Sequence, residues 1–550
     1  MGYLKTLICK TLSIRGIGKI GSSQDRFIQF IWTIFVLSMS ILLTYATVQL
    51  VQEFLNYDLV IRISIKSNDY STEFPSFSFC HHHPFGSRAK RYWDENLIMS
   101  PTKFNRKIRD QMKHIMENNK GSPYNLFTKD ERRIYYQHLS PNDADNLSWD
   151  NETFIICSIF RGSTMEVGLG TNCSMHINKI SIPQYFNCFS VTPDDSDPQS
   201  RITSITLLIR VSGGMNDTVE HEKSFIPGIL NQLSGLRGMI HERFTFPDIE
   251  NEGFHLEPGK LVEINYAVIK KSKIATPKQP CSKEVREKII DLDKSFVFSQ
   301  SACFRSSKGW SSLEKCSCFF ADTMRMGIPN VTHPYCGNIL NISFGMLMKR
   351  VECLSDWSSE FNKQIKEIFN NKCKSSCVHF QYDLSLSVTK WLPTNWQLGW
   401  LIDIDAAGKG FQPDSQQENA NEEFKKKFEN YINSQDLFNY PNSGKLSYID
   451  KDNFVMVVIK RRNFDTMEHR EKLTLDLYNL ISRFGGLCSL CLGLTCAFLL
   501  EIVEMIYLAA EDHNKKKKEK RKIIHSEELE IDGKVLDKTR SESPIWLSSL

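Results

Sequence analysis

Two apolar runs stand out against an otherwise mixed chain. Residues 27–51 ("FIQFIWTIFVLSMSILLTYATVQLV") carry no charge over 25 positions. As a helix rising about 1.5 Å per residue they span roughly 37 Å, enough to cross a bilayer. A cleaved signal peptide is the rival reading, but its apolar region is only about 7–15 residues long and ends at a small-x-small site. The second run, 485–510, has membrane length too. Between the runs, "FPSFSFC" (74–80) alternates as a strand does. Residues 202–211, 261–269 and 454–459 are rich in β-branched and aromatic side chains and predict longer strands. Residues 283–294 and 355–370 predict helices within a cysteine-dense part. The expected fold is therefore a two-pass membrane protein with an α+β middle. A sheet of sequence-distant strands would hold an inserted helical unit, jointed at "KKSKIATPKQP" (270–280).

Charge adds orientation. A formal net charge of +4 with 24% charged residues names no partner and gives no sign of nucleic-acid binding. Its distribution is more telling, because basic residues near a span stay cytoplasmic. Lys5, Lys10, Arg15, Lys19 and Arg26 precede the first run, and "KKKKEKRK" (515–522) follows the second. Both termini are expected inside a plasma membrane, with segments 1–26 cytoplasmic, 27–51 spanning, 52–480 extracellular, 481–510 spanning and 511–550 cytoplasmic. Sequons at Asn146, Asn151, Asn172, Asn216, Asn330 and Asn341 all fall in the middle segment. So do 12 of the 16 cysteines, an even number that reads as six disulfides in an oxidising compartment. A zinc reading of Cys316 and Cys318 fails on spacing.

The second run holds what lipid disfavours. An ionised carboxylate at mid-bilayer costs about 2.5–3.5 kcal/mol or more, so intramembrane acids face a partner or a wet path. Glu501 and Glu504 share a helix face, and stepping back by threes and fours adds Ala497, Gly493, Leu490 and Gly486. This stripe is the layout of a cation path; the alternative is a plain anchor whose acids lie at the headgroups and whose glycines serve packing. Cys488 and Cys491 form a C-x-x-C read as packing residues. "CHHHPF" (80–85) places His81 and His83 on one strand face and His82 on the other, a metal or proton site or, as the favoured reading, solvent-facing residues. "PDDSDP" (193–198) reads as a turn before a calcium site. No H-E-x-x-H, G-x-S-x-G or P-loop is present, so no enzyme is expected.

These residues resemble the degenerin/epithelial sodium channel family, nearest its neuropeptide-gated and acid-sensing branches. "FGGLCSLCLGLTCAFLLEIVE" (484–504) is similar to the pore signature, with Gly493, Leu494 and Thr495 in place of its Gly-x-Ser filter and Glu501 in place of its glutamate. "EFPSFSFC" (73–80), "GFHLEPG" (253–259) and the segment from Asp452 to Gly486 resemble further shared elements. The cysteine order fits the family's nested thumb bridges: Cys281 with Cys377, Cys303 with Cys373, Cys316 with Cys353 and Cys318 with Cys336, a thumb at about 281–380. Cys80 with Cys188 and Cys157 with Cys173 would tie the upper domains. Ser307 and Asn371 stand where acid-sensing members have one further bridge.

The resemblance implies a β-rich palm with thumb and finger regions, a homo- or heterotrimer, and a ligand-gated sodium channel blocked by amiloride, with no cofactor beyond permeant Na⁺. The ligand would be an extracellular neuropeptide, or alternatively a proton; a non-conducting cell-surface receptor is the reading from another class. Gly493 to Thr495 would break the second helix at the narrowest point, with Glu501 and Glu504 as pore acids on its cytoplasmic side, Ser482, Gly485 and Gly486 the gate neighbourhood, and Tyr57 a coupling residue. Arg15 and Gly16 replace the family's N-terminal His-Gly gating pair.

Overall fold

The computed structural model describes residues 20, 23, 25–86, 88–95, 97–118, 131–211, 233–282, 296–320, 334–338, 340, 342–391, 454–493, 500–504, 506–508, 510–511, 514–515 and 517–518. The expected helix at 283–294 lies outside them. In chain order the helices are α1 (Arg26–Asn56), α2 (Pro101–Asn118), α3 (Glu131–His138), α4 (Pro141–Leu147), α5 (Gln300–Cys316), α6 (Phe344–Glu367) and α7 (Leu477–Leu492), with short turns of helix at Ala89–Asp94 and Ile249–Glu252. The strands are β1 (Leu59–Lys66), β2 (Ser76–His81), β3 (Phe154–Arg161), β4 (Thr164–Leu169), β5 (Met175–Ile182), β6 (Phe186–Pro193), β7 (Ile202–Arg210), β8 (Leu236–His241), β9 (Phe254–Leu256), β10 (Lys260–Ser272), β11 (Cys281–Ser282), β12 (Ser375–Ser376), β13 (Val378–Lys390) and β14 (Phe454–Leu473). The chain divides into two units, 1–60 with 472–550, and 61–471.

In the larger unit one sheet runs β13-β10-β14-β7-β3-β4, with β1 added to β14, and a second runs β5-β6-β2-β8-β9. The neighbours are sequence-distant as expected: β10 pairs antiparallel with β13 and parallel with β14. Along β10 the residues Val262, Ile264, Tyr266 and Val268 are buried and their neighbours half-buried, the period of two that a one-faced strand requires. They meet Phe77, Phe79 and Phe189 of the second sheet in a shared apolar core. β2 departs from its expected alternation, with all six residues buried. It lies between β6 and β8, inside its sheet, where both faces are covered.

The helical part has its own core, in which Phe104 and Tyr135 of the first helices join Trp357 and Phe361 of α6. α6 starts at an N-cap, Ser343 Oγ accepting from the Met346 N–H at 3.4 Å, and continues as a π turn at Ile368–Lys372, so it exceeds the expected 355–370 at both ends. The joint is also shorter than expected: Lys270, Lys271 and Ser272 are strand residues paired with His379, Val378 and their neighbours, which leaves 273–280 as the connection. Six disulfides staple the unit, Cys80–Cys188, Cys157–Cys173, Cys281–Cys377, Cys303–Cys373, Cys316–Cys353 and Cys318–Cys336.

In the smaller unit α1 packs on α7. Arg483 Nη1 lies 3.6 Å from Glu53 Oε1, and the Thr474 N–H donates to the Asp58 carbonyl at 2.9 Å. Among the described residues α1 is the one helix long and apolar enough to cross a membrane. It exposes Phe27, Phe30, Ile34, Leu37, Ile41 and Tyr45 around its circumference and buries Leu50 alone. A helix apolar all round demands apolar surroundings.

Candidate functional site

The second apolar run is not one helix. α7 opens at Asp476, whose Oδ1 accepts from the Asn479 N–H at 2.7 Å. It closes at Leu492, because Gly493 turns to φ +68°, ψ 21° and donates its N–H to the Ser489 carbonyl at 2.9 Å. The left-handed conformation costs an L side chain about 1–2 kcal/mol and glycine nothing, which makes glycine the residue for a helix stop. A Cβ at Gly493 would meet nothing within 4 Å, so it is backbone conformation and not crowding that calls for glycine. Helix resumes over 500–504, with Glu501 half-buried and Glu504 exposed.

The stop falls where the family resemblance implies a break in the second helix, and it corrects the stripe from Gly486 to Glu504 read from residue spacing alone. Helical phase is lost at Gly493, so Gly486 and Leu490 belong to one helix and the two acids to another. Leu494, Thr495 and Ala497 lie outside the described residues, as do Arg15 and Gly16. Ser482, Gly485 and Gly486 are exposed on α7, and a Cβ on either glycine would meet nothing within 4 Å. Tyr57 closes α1 in the left-handed region, φ 54°, its N–H donating to the Phe54 carbonyl at 3.3 Å.

In the disulfide-bonded unit the histidine run is not solvent-facing. His81 and His82 are buried, and β2 ends at His81, so strand alternation does not extend to His83. His81 stacks on Trp149 with ring centroids 4.5 Å apart, its Nε2 3.0 Å from the Arg210 carbonyl. His82 Nε2 lies 2.9 Å from His255 Nδ1, and Arg237 Nη1 donates to His255 Nε2 at 3.1 Å. A guanidinium can only donate, so His255 keeps its proton on Nδ1 and donates it to His82. Burial pulls His82 down to about 3, helped by His255 and the guanidinium groups of Arg132 and Arg237. Burial likewise holds His81 at about 3. His255 comes from 173 residues away, and no local sequence signal marked it. No group of three or more metal-ligating side chains occurs among the described residues.

The acidic loop is a turn tied to arginines. Asp195 accepts from the Phe74 and Ile202 N–H groups at 2.7 and 3.0 Å and lies beside Arg201. Asp197 accepts from the Gln199 N–H at 2.9 Å. Among the sequon residues, Asn151 is exposed and Asn146 and Asn172 half-buried, while Asn216, Asn330 and Asn341 lie outside the described residues.

A six-disulfide α/β unit carried by a chain with an all-round apolar helix defines the class as a membrane protein. A family model described as amiloride-sensitive sodium channel matches residues 8–505. The chain belongs to that family, the degenerin/epithelial sodium channel family. It is 24% identical over 362 residues to the epithelial sodium channel subunit alpha of Gallus gallus, covering 63% of this chain and 52% of that one. To the subunit beta of Mus musculus it is 23% identical over 288 residues, 49% of this chain and 39% of that one. To the FMRFamide-activated amiloride-sensitive sodium channel of Cornu aspersum it is 22% identical over 335 residues, 59% and 48%. The matches thus span about half the length of these relatives, or less.

Proposed function

We propose that this chain is a subunit of an amiloride-sensitive sodium channel in the plasma membrane, opened by an extracellular peptide. The observation that carries the reading is the helix stop at Gly493, ahead of a helical segment bearing Glu501 and Glu504, in a stretch that the family match covers up to residue 505. A backbone break within an apolar run is tolerated where it lines a water-filled path. Carbonyls and hydroxyls there can replace part of an ion's hydration shell, and acids nearby concentrate cations. In this reading Gly493, Leu494 and Thr495 form the filter, Ser482, Gly485 and Gly486 the gate, and both termini are cytoplasmic. Three copies, of this chain or of related subunits, surround the pore.

The exposed apolar surface of α1 and α7 supports a bilayer and neighbouring subunits around them, with Leu490 and Tyr478 among the most exposed side chains. Peptide gating draws its support from the Cornu aspersum relative, named for activation by FMRFamide. Voltage-clamp recording from oocytes expressing the chain alone, challenged with amidated peptides and acid steps, tests the reading. A peptide-evoked sodium current, silenced by amiloride and altered by Glu501→Ala, is the expected result. Silence from surface-expressed protein, even with a bulky residue at Ser482 and with a related subunit co-expressed, overturns it in favour of a non-conducting receptor.

A further inference from the structure

The larger unit contains a cavity of about 370 Å³ between the end of β8, the start of α5 and the first half of β13. Five aromatic residues, Phe246, Phe254, Phe298, Phe380 and Tyr382, share its wall with Glu242 and Glu252. Asp248 also reaches the wall, but Arg305 Nη2 engages its Oδ1 at 2.5 Å and occupies that charge. Glu242 is different. Its Oε2 accepts a long bond from the Phe380 N–H at 3.3 Å, and no ion pair to a described residue reaches it. Burial raises its carboxyl above the usual range, and the Phe380 N–H offsets this only in part. Glu252 is raised as well, by burial and by Asp248 beside it.

Among the described residues no basic side chain on the wall forms an ion pair with Glu242. Lys273 Nζ lies 3.5 Å from Ser375 Oγ, and burial with Lys273 and Lys271 nearby pulls His379 down to about 4, so it is neutral. His241, at the end of β8, is held neutral by burial too, at about 4, and spends its Nε2 on Ser78 Oγ at 2.7 Å. The cavity thus combines a carboxylate that has no ion-pair partner among the described residues with aromatic side chains, and both attract cations, the rings through their quadrupole.

We infer that this cavity is a binding site for a small organic cation, an amine or guanidinium joined to an aromatic or apolar body. The wall gives each half of such a molecule its place: the carboxylate of Glu242 takes the charged head, and the aromatic rings take the body. The site lies wholly within the unit 61–471 and owes nothing to the pore reading, so it can be tested without current.

The test uses the full chain in lipid nanodiscs and titrates phenethylammonium as the probe by calorimetry, with phenylacetate and benzyl alcohol as the anionic and neutral counterparts. Saturable phenethylammonium binding is expected, weakened at least tenfold by Glu242→Gln, with phenylacetate not bound. Gln381→Trp, at an exposed rim position, blocks the cavity without touching the carboxylate and should abolish binding even if Glu242→Gln fails to fold. Equal affinity for the neutral alcohol, unchanged affinity in both variants, or no saturable binding of the amine overturns the assignment.

Discussion

Arg305 on α5 reaches Asp248 Oδ1 at 2.5 Å, and through its other terminal nitrogen reaches Glu250 Oε2 at 3.1 Å. Glu250 is shared with Arg133 of α3, also at 3.1 Å. One guanidinium fork therefore ties the first helix of the disulfide-stapled part to the short helix after β8 and, through Glu250, to α3. All four side chains are largely buried, between 15% and 27% exposed. Removing one partner leaves charges facing each other without compensation.

Arg305→Ala should cost about 1–3 kcal/mol of stability, since hydrogen bonds to charged groups and their desolvated partners are lost together. Arg305→Lys should recover less than half, because a lysine cannot span both carboxylates as a fork does. Thermal unfolding of the detergent-solubilised chain reads both; equal stability of the alanine variant and the parent refutes the claim.

Acid should weaken the domain. His81 and His82 are held near 3 and His241 near 4, each chiefly by burial, against an ordinary value of 6.5. The unfolded chain then binds protons that the folded one refuses. Stability from these groups is whole above about pH 6.5 and drains as the pH falls from there toward 4 and 3, by at most about 1.4 kcal/mol per pH unit for each histidine. Glu242 has the opposite sign, its raised carboxyl losing stability as pH rises. Melting curves between pH 7.5 and 5 should show a falling midpoint, with a shallower slope in His82→Gln; a flat profile contradicts the argument.

The disulfides should rank by the loop they close. Cys80–Cys188 spans 108 residues and Cys157–Cys173 only 16. Chain entropy assigns about 4.7 kcal/mol to a loop near the first length and about 3 kcal/mol to one near the second. Paired alanine variants compared by denaturant midpoint check the order, and a larger loss from the short loop reverses it.

Gly493→Ala should impair the conduction proposed above, since alanine resists the left-handed conformation at the helix stop, whereas Gly493→Asn should retain more, asparagine visiting that region readily. Sodium current normalised to surface copies distinguishes them. Identical currents from both variants and the parent show that the helix stop does not matter for conduction.

Much of the fold was legible because it rests on local patterns. The charge-free run at 27–51 became the core of α1, and the β-branched runs became β7, β10 and the first part of β14. The helices between Pro101 and Leu147 left no such mark, being polar segments whose few apolar residues, Phe104, Tyr135 and Leu147 among them, find their core only on folding. The candidate pore segment was half legible. Gly493 and the two acids stood out by residue type and the resemblance implied a break at 493–495, but residue spacing alone drew one continuous stripe across the helix stop at Gly493.

The sequence by itself determined the class of this protein. Membrane length, the clustering of cysteines and sequons, and the pore-like residues are all properties of composition and spacing along the chain. Tertiary structure alone decided the electrostatics. A run of three histidines looks the same whether it faces water or a core, and only the approach of His255 and Arg237 from distant strands fixed His82 as a neutral acceptor. Glu242 likewise lines a cavity with aromatic residues, and without an ion-pair partner among the described residues, only because folding brought β8, α5 and β13 together. The pKa of a side chain belongs to its surroundings, and those are assembled from residues the chain keeps far apart.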